Sequence, residues 1–365
     1  MQNLLHRLQH LHGRHQRIFP ISFFVLGFAF DAMFLDRIDT PFGIGQAILY
    51  LILTGALIAA LVLERHGIYC PPEFLKKVWK YSEHAIHFLL GTLLNFFMLF
   101  YFKSASLVPS LIFLGILTAV LLINEFFRAG GGIAFIIQVG LWSLSLLSFF
   151  VLVTPILFGF IGPIPFLVAV LFSFVAALPF YWVLKKFIKS DSGLLGRQIR
   201  APFLWVQLIF TTLYFFQMIP PVPLAIKKIG IYREVKRLDG KFLLTHARPW
   251  WKVWQSGEQD FIARPGDQVV CFAQIFSPTG FKDSLQVRWL LKGRDGWIEA
   301  DAIPFEITGG SDEGYRAYTV KTNWVPGRWQ VRIETTDKRE LGRISLEILA
   351  AKPETALPAM TVDSF

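Results

Sequence analysis

The sequence predicts an α-helical transmembrane bundle of about seven spans followed by an all-β immunoglobulin-like sandwich. Three observations carry that expectation. Apolar runs of about twenty residues, the length a spanning helix needs, recur between residues 18 and 222. From residue 240 onward the hydrophobic period becomes two, as in strands with one buried face. Charge divides at the same place: residues 1–224 hold 15 Lys and Arg with 8 Asp and Glu, whereas the shorter span 225–365 holds 21 with 18. The expected organisation is a basic N-terminus (1–17), a helical bundle (18–222), a proline-rich basic collar (223–238), a sandwich (239–350) and a flexible tail (351–365).

The candidate spans are 18–35, 42–63, 85–102, 105–125, 133–157, 163–184 and 202–222. The stretch 133–184 contains no charged residue. It divides at GFIGPIP (159–165), where two prolines and two glycines would break a helix. The first span follows a basic segment, as a secretion signal does. It runs into Asp31, Asp36, Arg37 and Asp39 with no small-residue cleavage pattern, which favours a retained anchor.

Loop charges orient the bundle. Arg7, Arg14 and Arg17, then Arg65, Lys76, Lys77 and Lys80, then Arg128, then Lys185, Lys186, Lys189, Arg197 and Arg200 fall on one side. The opposite short loops hold Arg37 and Lys103. By the positive-inside rule the first side is cytoplasmic, and seven spans carry the C-terminal domain out of the cytoplasm. The net charge of +10 therefore serves topology. The soluble part has interspersed signs and no nucleic-acid motif, so nucleic acid is not an expected partner. Cys70 and Cys271 fall on opposite sides of the membrane and cannot pair within one chain.

Ionisable and amide side chains within spans are candidates for function. They are Asp31, Asn95, Asn124, Glu125 and Gln138. Asp31 lies near an outer span end, where it either forms an acidic mouth or caps the interface beside Lys103 or Lys227. Glu125 and Arg128 are spaced to pair on a helix, and mid-span amides commonly bridge helices. His84 and His87 have helical spacing but lack further ligands for a metal site. The N-terminal HRLQHLHGRH suits a basic amphipathic segment lying on the cytoplasmic leaflet. There is no HExxH, GxSxG or Walker pattern. No catalytic residue, metal or cofactor is assigned.

In the soluble part, SLQVRWLLK, GRWQVRIETT and GRISLEIL alternate, with Leu285, Val287, Trp289 and Leu291 of the first on one side and Gln286, Arg288 and Lys292 on the other. KFLLTHA, EQDFIA, DQVVCFAQIFS, WIEADAIPFEIT and GYRAYTVKT are further strands, separated by turn signals such as ARPGD, SPTG and GRDG. Seven to nine strands at that spacing suggest the sandwich. Seven of eleven tryptophans lie after residue 249. Trp250, Trp251 and Trp254 in PWWKVW form either a platform for sugar rings or apolar side chains, or a core-and-membrane-surface anchor. Arg316, Tyr318 and Lys321 share a strand face if one residue is irregular, and two cations beside an aromatic suit an anionic ligand. Pro220, Pro221 and Pro223 end the last span and stiffen the collar.

IPPVPLAIKKIGIY (219–232), ITGGSDEGYRAYTVK (307–321) and GRWQVRIETTDKRELGR (327–343) carry a resemblance. The chain resembles an uncharacterised family of proteobacterial multi-span membrane proteins with a C-terminal domain of unknown function. The match covers residues 216–348 and extends to the bundle. Similar proteins often have Arg after the Gly-Gly pair, where this chain has Ser311. The resemblance implies an extracytoplasmic β domain on an inner-membrane anchor in a Gram-negative bacterium, and it implies no activity. The expected role is a periplasmic binding or assembly module, with membrane lipids and an envelope glycan or protein as partners. Two alternatives are an enzyme or transporter for lipid or a small solute within the bundle, and an envelope sensor acting through a partner.

Overall fold

The computed structural model describes residues 40–126, 131–188, 193, 196–310, 313–351 and 359–365. Its helices are α1 (Pro41–Arg65), α2 (Glu73–Trp79), α3 (Ser82–Lys103), α4 (Leu107–Phe126), α5 (Gly131–Phe158), α6 (Pro163–Phe187) and α7 (Ala201–Phe215), with one π-helical turn at Gly196–Arg200. Thr40 caps α1 through its hydroxyl, with Pro41 at the first helical position, where a missing N–H costs nothing.

Four described helices are long and apolar enough to cross a membrane: Pro41–Arg65, Ser82–Lys103, Ile133–Phe158 and Pro163–Phe187. The count of about seven spans is not met among the described residues. The candidate 18–35 lies outside them. Within α4, Ser110–Leu122 forms a shorter apolar helix, and α7 has 15 residues. The exterior of the bundle is nonetheless apolar. Only 22% of the most apolar stretch of α6 is buried, and Leu171, Val175, Leu178 and Trp182 point outward. A water-soluble protein rarely presents a contiguous surface of that kind.

Inside the bundle, small residues and polar clips set the helix spacing. Gly55 of α1 leaves room for Trp142 of α5, whose indole N–H donates to the Leu51 carbonyl at 3.0 Å. The Thr154 hydroxyl of α5 meets the Pro165 carbonyl of α6 at 2.9 Å, and Ser173 of α6 donates to Gln207 of α7 at 3.1 Å. Phe113 meets both Tyr101 and Phe210 edge to face where α3, α4 and α7 meet.

The last helix does not run to the prolines. It closes at Phe215 in a Schellman turn, with the Met218 N–H on the Leu213 carbonyl and the Gln217 N–H on the Tyr214 carbonyl. Gln217 takes the left-handed position, φ 58°, where glycine is usual. Its side chain donates to the Asp337 carbonyl at 2.9 Å, a tether across 120 residues. The prolines come after the turn and are buried, so they fill the junction between the halves instead of forming an exposed spacer.

The β region has eleven described strands: β1 (Ala225–Tyr232), β2 (Glu234–Leu238), β3 (Lys241–His246), β4 (Asp260–Ala263), β5 (Val269–Phe276), β6 (Lys282–Lys292), β7 (Trp297–Thr308), β8 (Tyr315–Lys321), β9 (Gly327–Thr335), β10 (Glu340–Ala350) and β11 (Thr361–Ser364). The segment 223–238, expected as a collar, thus supplies β1 and β2. Part of the expected tail supplies β11, which pairs with β3.

The sheet β1-β5-β8 faces the sheet β4-β10-β9-β6-β7 across one core, and β11-β3-β2 covers the outer face of the first. This arrangement explains the unbroken apolar run in β5. Val269, Cys271, Ala273 and Ile275 enter the main core, while Val270 and Phe272 enter the smaller one. Trp289 and Trp329 stack edge to face at 6.5 Å in the main core, and each indole N–H is satisfied, by Thr319 and by the Val325 carbonyl. Removing either large side chain would cost ~3–5 kcal/mol.

One end of the sandwich is docked on the bundle. The Lys282 N–H donates to the Gly159 carbonyl at 2.7 Å, and the Ile161 N–H donates to Asp283 at 2.9 Å. Ser106, just before α4, donates to Glu340 at the start of β10, whose carboxylate is held on its other side by Arg343 in a two-pronged pair at 2.5 Å. The buried Arg339 guanidinium lies over the Tyr214 ring of α7. The starts of β1 and β10 and the end of β5 lie at this junction, and the strands run from it toward the opposite end of the sandwich.

Candidate functional site

The loop between β3 and β4 carries PWWKVW. It leaves β3 at His246 and returns at Gly257, which packs against β1. Gly257 adopts φ 70°, and a Cβ there would stand 1.9 Å from the Ile231 carbonyl oxygen, so the return crossing admits only glycine. The Ile231 N–H takes the Ser256 carbonyl at 3.2 Å, and the Glu258 N–H donates to the Ile231 carbonyl at 2.7 Å.

A buried ion pair closes the base of the loop. Glu258 receives the Arg233 guanidinium, with Nε at 2.8 Å, and also the Ala247 N–H at 2.9 Å. One carboxylate therefore ties β1's end to both ends of the loop. Arg233 also donates to the Ile262 carbonyl at 2.8 Å, contacts Asp267 and lies over the Phe261 ring. The charge is thus hydrogen-bonded on several sides, the condition under which burial is tolerated.

The tip is held by a second set of bonds. Lys252 and Gln255 both donate to Asp260, and these hydrogen bonds hold the Asp260 carboxyl below its ordinary range. The Arg248 guanidinium donates to the Gln255 carbonyl. The polar side chains of the loop are turned inward on each other. The apolar ones face solvent: Trp250 is 89% exposed, Val253 78% and Trp254 69%. Trp251 and Trp254 meet edge to face at 5.6 Å, and the Lys252 ammonium sits 5.2 Å from the Trp251 ring.

This knob does not lie at the end of the sandwich that docks on the bundle. Asp260 pairs with Glu347 of β10, seven residues beyond Glu340, which touches the bundle. At a strand rise of about 3.3 Å per residue, the attachment stands ~23 Å along the strand from the junction. The three tryptophans are exposed and belong to neither core of the β region.

The other sequence candidates are dispersed. Arg316 and Tyr318 lie on the outer face of β8, at the opposite edge of the β1-β5-β8 sheet from the tryptophan loop. Arg316 is engaged by Glu313 and lies 5.7 Å from the Phe242 ring. Lys321 does not join them. The β5–β8 register is unbroken from Val269↔Lys321 to Ile275↔Tyr315, so alternation sends Lys321 to the opposite face. There it is buried, paired with Asp301 and lying over Trp329. The irregularity needed to align the three residues is absent.

Within the bundle, Asn95 lines a crevice of about 260 Å³ between α1 and α3 with Gln46, Tyr50 and Thr92. Gln138 is buried in α5 and does not line it. Asp31 lies outside the described residues, as do the side chains of Asn124 and Glu125, and Ser311.

Sequence reasoning missed the junction residues Asp283, Arg339 and Glu340. TTDKRELG looks like a solvated turn because its charges are consecutive. Its membership in the resembling stretch 327–343 was the available signal that it does more.

Residues 282–348, from β6 into β10, match a protein family described as "Protein of unknown function (DUF2914)". An immunoglobulin-like protein (PA1606) from Pseudomonas aeruginosa aligns with 33% of this chain and 97% of its own at 11% identity, TM-score 0.20. The alkylpurine DNA glycosylase AlkC of Pseudomonas fluorescens, bound to DNA containing an abasic site analog, aligns with 84% of this chain and 98% of its own at 9% identity, TM-score 0.22. At such scores neither likeness carries an argument about fold or function. No curated protein matches the chain. The chain is therefore a helical bundle with a docked β domain, and part of that domain matches a family of unknown function.

Proposed function

We propose that this is an integral inner-membrane protein of a Gram-negative bacterium, with its N-terminus in the cytoplasm and an immunoglobulin-like sandwich in the periplasm. On this reading the sandwich is a binding module and the tryptophan loop is its contact surface. The carrying observation is the loop itself: three exposed indoles and Val253 on a turn held in shape by hydrogen bonds among Arg248, Lys252, Gln255, Glu258 and Asp260. Such a preorganised apolar knob loses little entropy on binding, and tryptophan is enriched at the energetic centres of interfaces. Val253 favours the apolar side chains of a protein partner over sugar hydroxyls. The apolar exterior of the bundle and the basic residues Arg65, Lys76, Lys185 and Arg200, at helix ends opposite the docked sandwich, support the topology.

The test is recovery of cross-linked envelope material on the tagged full-length protein. A discrete protein recovered with the natural chain and lost with Trp251→Ala and Trp254→Ala supports the reading. Equal recovery by those variants refutes the loop as the contact. Loss only with Arg316→Ala moves the contact to β8, and capture of glycan in place of protein selects the sugar reading.

A second reading rests on the Asn95 crevice, whose amide and hydroxyl lining would suit a small polar solute handled within the bundle. Asn95→Leu abolishes transport or turnover on that reading and leaves partner recovery intact.

A further inference from the structure

α1 ends at Arg65 and α3 begins at Ser82, and both have the length and hydropathy of spans. The short helix α2 joins them. Ser106, just past the other end of α3, meets the sandwich, so α2 lies at the opposite end of the bundle. On the membrane reading above, that is the depth of the cytoplasmic headgroups, because the spans on either side of α2 end there.

At about 3.6 residues per turn, the side chains of α2 sort into three sectors. Leu75 and Trp79, one turn apart, are half-buried. The Trp79 indole N–H donates to Glu64 of α1 at 2.5 Å, and its ring centre lies 5.5 Å from that of Tyr69. Arg65 pairs with Glu83 of α3 at 2.8 Å. These contacts fix the roll of the helix. Phe74, Val78 and, just beyond the helix, Tyr81 form a second stripe at i, i+4 and i+7. They are 78%, 62% and 55% exposed. Glu73, Lys76 and Lys80 take the third sector, with Glu73 paired to Lys76, and Lys77 flanks the apolar stripe.

Seven residues are too few to stay helical in water unaided, and α2 buries none of its own. Its exposed stripe does not stop at the helix. Tyr81 and Phe88, seven residues apart, share one face as the chain enters α3, and Phe88 is 68% exposed. In a span, such a phenylalanine faces acyl chains. The stripe therefore continues a lipid-facing surface around the corner from α3 onto α2. That continuity, with lysines on the remaining sides, selects lipid over a soluble protein as the occupant.

We propose that α2 is an in-plane anchor in the cytoplasmic leaflet. Phe74, Val78 and Tyr81 enter the boundary between headgroups and acyl chains, and Lys76, Lys77 and Lys80 reach the phosphates of anionic lipids on their long stems. Through Trp79 and Glu64 the anchor holds the end of α1 at the membrane surface. The inference rests on the membrane reading of the bundle, and the experiment separates the two.

Spin labels are placed singly on Cys70→Ser protein, Cys271 being buried, at Phe74→Cys, Lys76→Cys and Val175→Cys, the last on the outward face of α6. The full-length chain is reconstituted in nanodiscs of phosphatidylcholine with phosphatidylglycerol. Collisions are measured with oxygen, which concentrates in hydrocarbon, and with a nickel chelate confined to water. Chelate access at position 175 refutes the membrane reading and the proposal with it. With 175 in hydrocarbon, the label at 74 should favour oxygen, about 5–10 Å below the phosphates, and the label at 76 should favour the chelate. Chelate access at 74 overturns the proposal alone, since the stripe would then face water. Exclusion of both reagents at 74 also overturns it, since protein would then cover the stripe. In discs of phosphatidylcholine alone the label at 74 should be shallower. The triple variant Lys76→Gln, Lys77→Gln, Lys80→Gln should remove the difference between the discs. Equal depth in both discs for the natural lysines, or a difference that survives the triple variant, overturns the part assigned to the lysines.

Discussion

The Arg339 guanidinium lies 3.6 Å from the centre of the Tyr214 ring, and its Nε donates to Asp337 at 2.6 Å. The contact couples the β9–β10 turn to the last helix of the bundle, beside the tether from Gln217 to the Asp337 carbonyl. A guanidinium taken out of water over an aromatic face is worth ~2 kcal/mol. The double-mutant cycle of Arg339→Ala and Tyr214→Leu should therefore show a coupling of about 1–2 kcal/mol in detergent unfolding. Additive losses would mean that the stacking contributes nothing to docking.

Arg233 and Glu258 hold the base of the tryptophan loop. Arg233→Met leaves the Glu258 carboxylate buried with the Ala247 N–H as its described partner, and the expected cost is ~3–5 kcal/mol. Proteolysis of the native protein should then cut first within residues 247–256, where the clamp has been lost. A variant that loses stability without preferential cleavage there would show the pair to be a general core contact.

Trp251→Ala and Trp254→Ala should separate binding from stability. Both side chains are largely exposed, so the melting temperature should be unchanged, as for most surface substitutions. Affinity for the recovered partner should fall by ~2 kcal/mol, about thirtyfold, if the pair forms an interface centre. A melting temperature that falls in step with binding would place the rings in the fold instead.

Asp283 gives the junction a pH dependence. Burial raises its carboxyl above the ordinary 3.8, the nearby Asp337 adds to the rise, and the Ile161 and Ser284 N–H groups act the other way. The folded state thus favours the protonated acid. Stability should fall as pH rises from the unfolded value through the raised folded one. Asp283→Asn keeps an acceptor for Ile161 and removes that fall. Its melting temperature should exceed the natural protein's at neutral pH and converge with it at acid pH. Asp283→Leu removes the acceptor and should cost ~1–2 kcal/mol at any pH. A gap between Asn and natural chains that does not vary with pH would show that Asp283 carries no titration at the junction.

Much of the β domain was legible because period two survives wherever one face is buried. Eight of the eleven described strands, β3 to β10, coincide with or overlap the stretches read from alternation and turn signals. Those missed are strands by tertiary pairing. AIKKIGIY carries two lysines that disguise β1, EVKRL is short, and TVDS becomes β11 only by pairing with β3. The helix end was misplaced because Gln217 is an unusual left-handed residue, held from 120 positions away.

The site was half legible. The tryptophans were visible as a cluster, but their exposure depends on Arg233 and Glu258, which are distant in sequence and look like surface charges. Lys321 was misassigned for the opposite reason, since a strand-end lysine seldom faces inward without a partner such as Asp301. Seven apolar runs could be counted, whereas the length at which those among the described residues form helices is set by packing that no single run encodes.

The central claim is that the tryptophan knob is presented on the extracytoplasmic side of a membrane bundle. Labelling with a membrane-impermeant maleimide tests it most directly. Cys271 is buried, its thiol pushed up to about 12 by burial, so it stays silent in the folded protein, whereas Cys70 is exposed near the basic end of the bundle. A Val253→Cys variant in intact spheroplasts should label at position 253 and leave Cys70 unlabelled until the membrane is opened. Immediate labelling of Cys70, with position 253 protected until permeabilisation, would invert the topology and contradict the account.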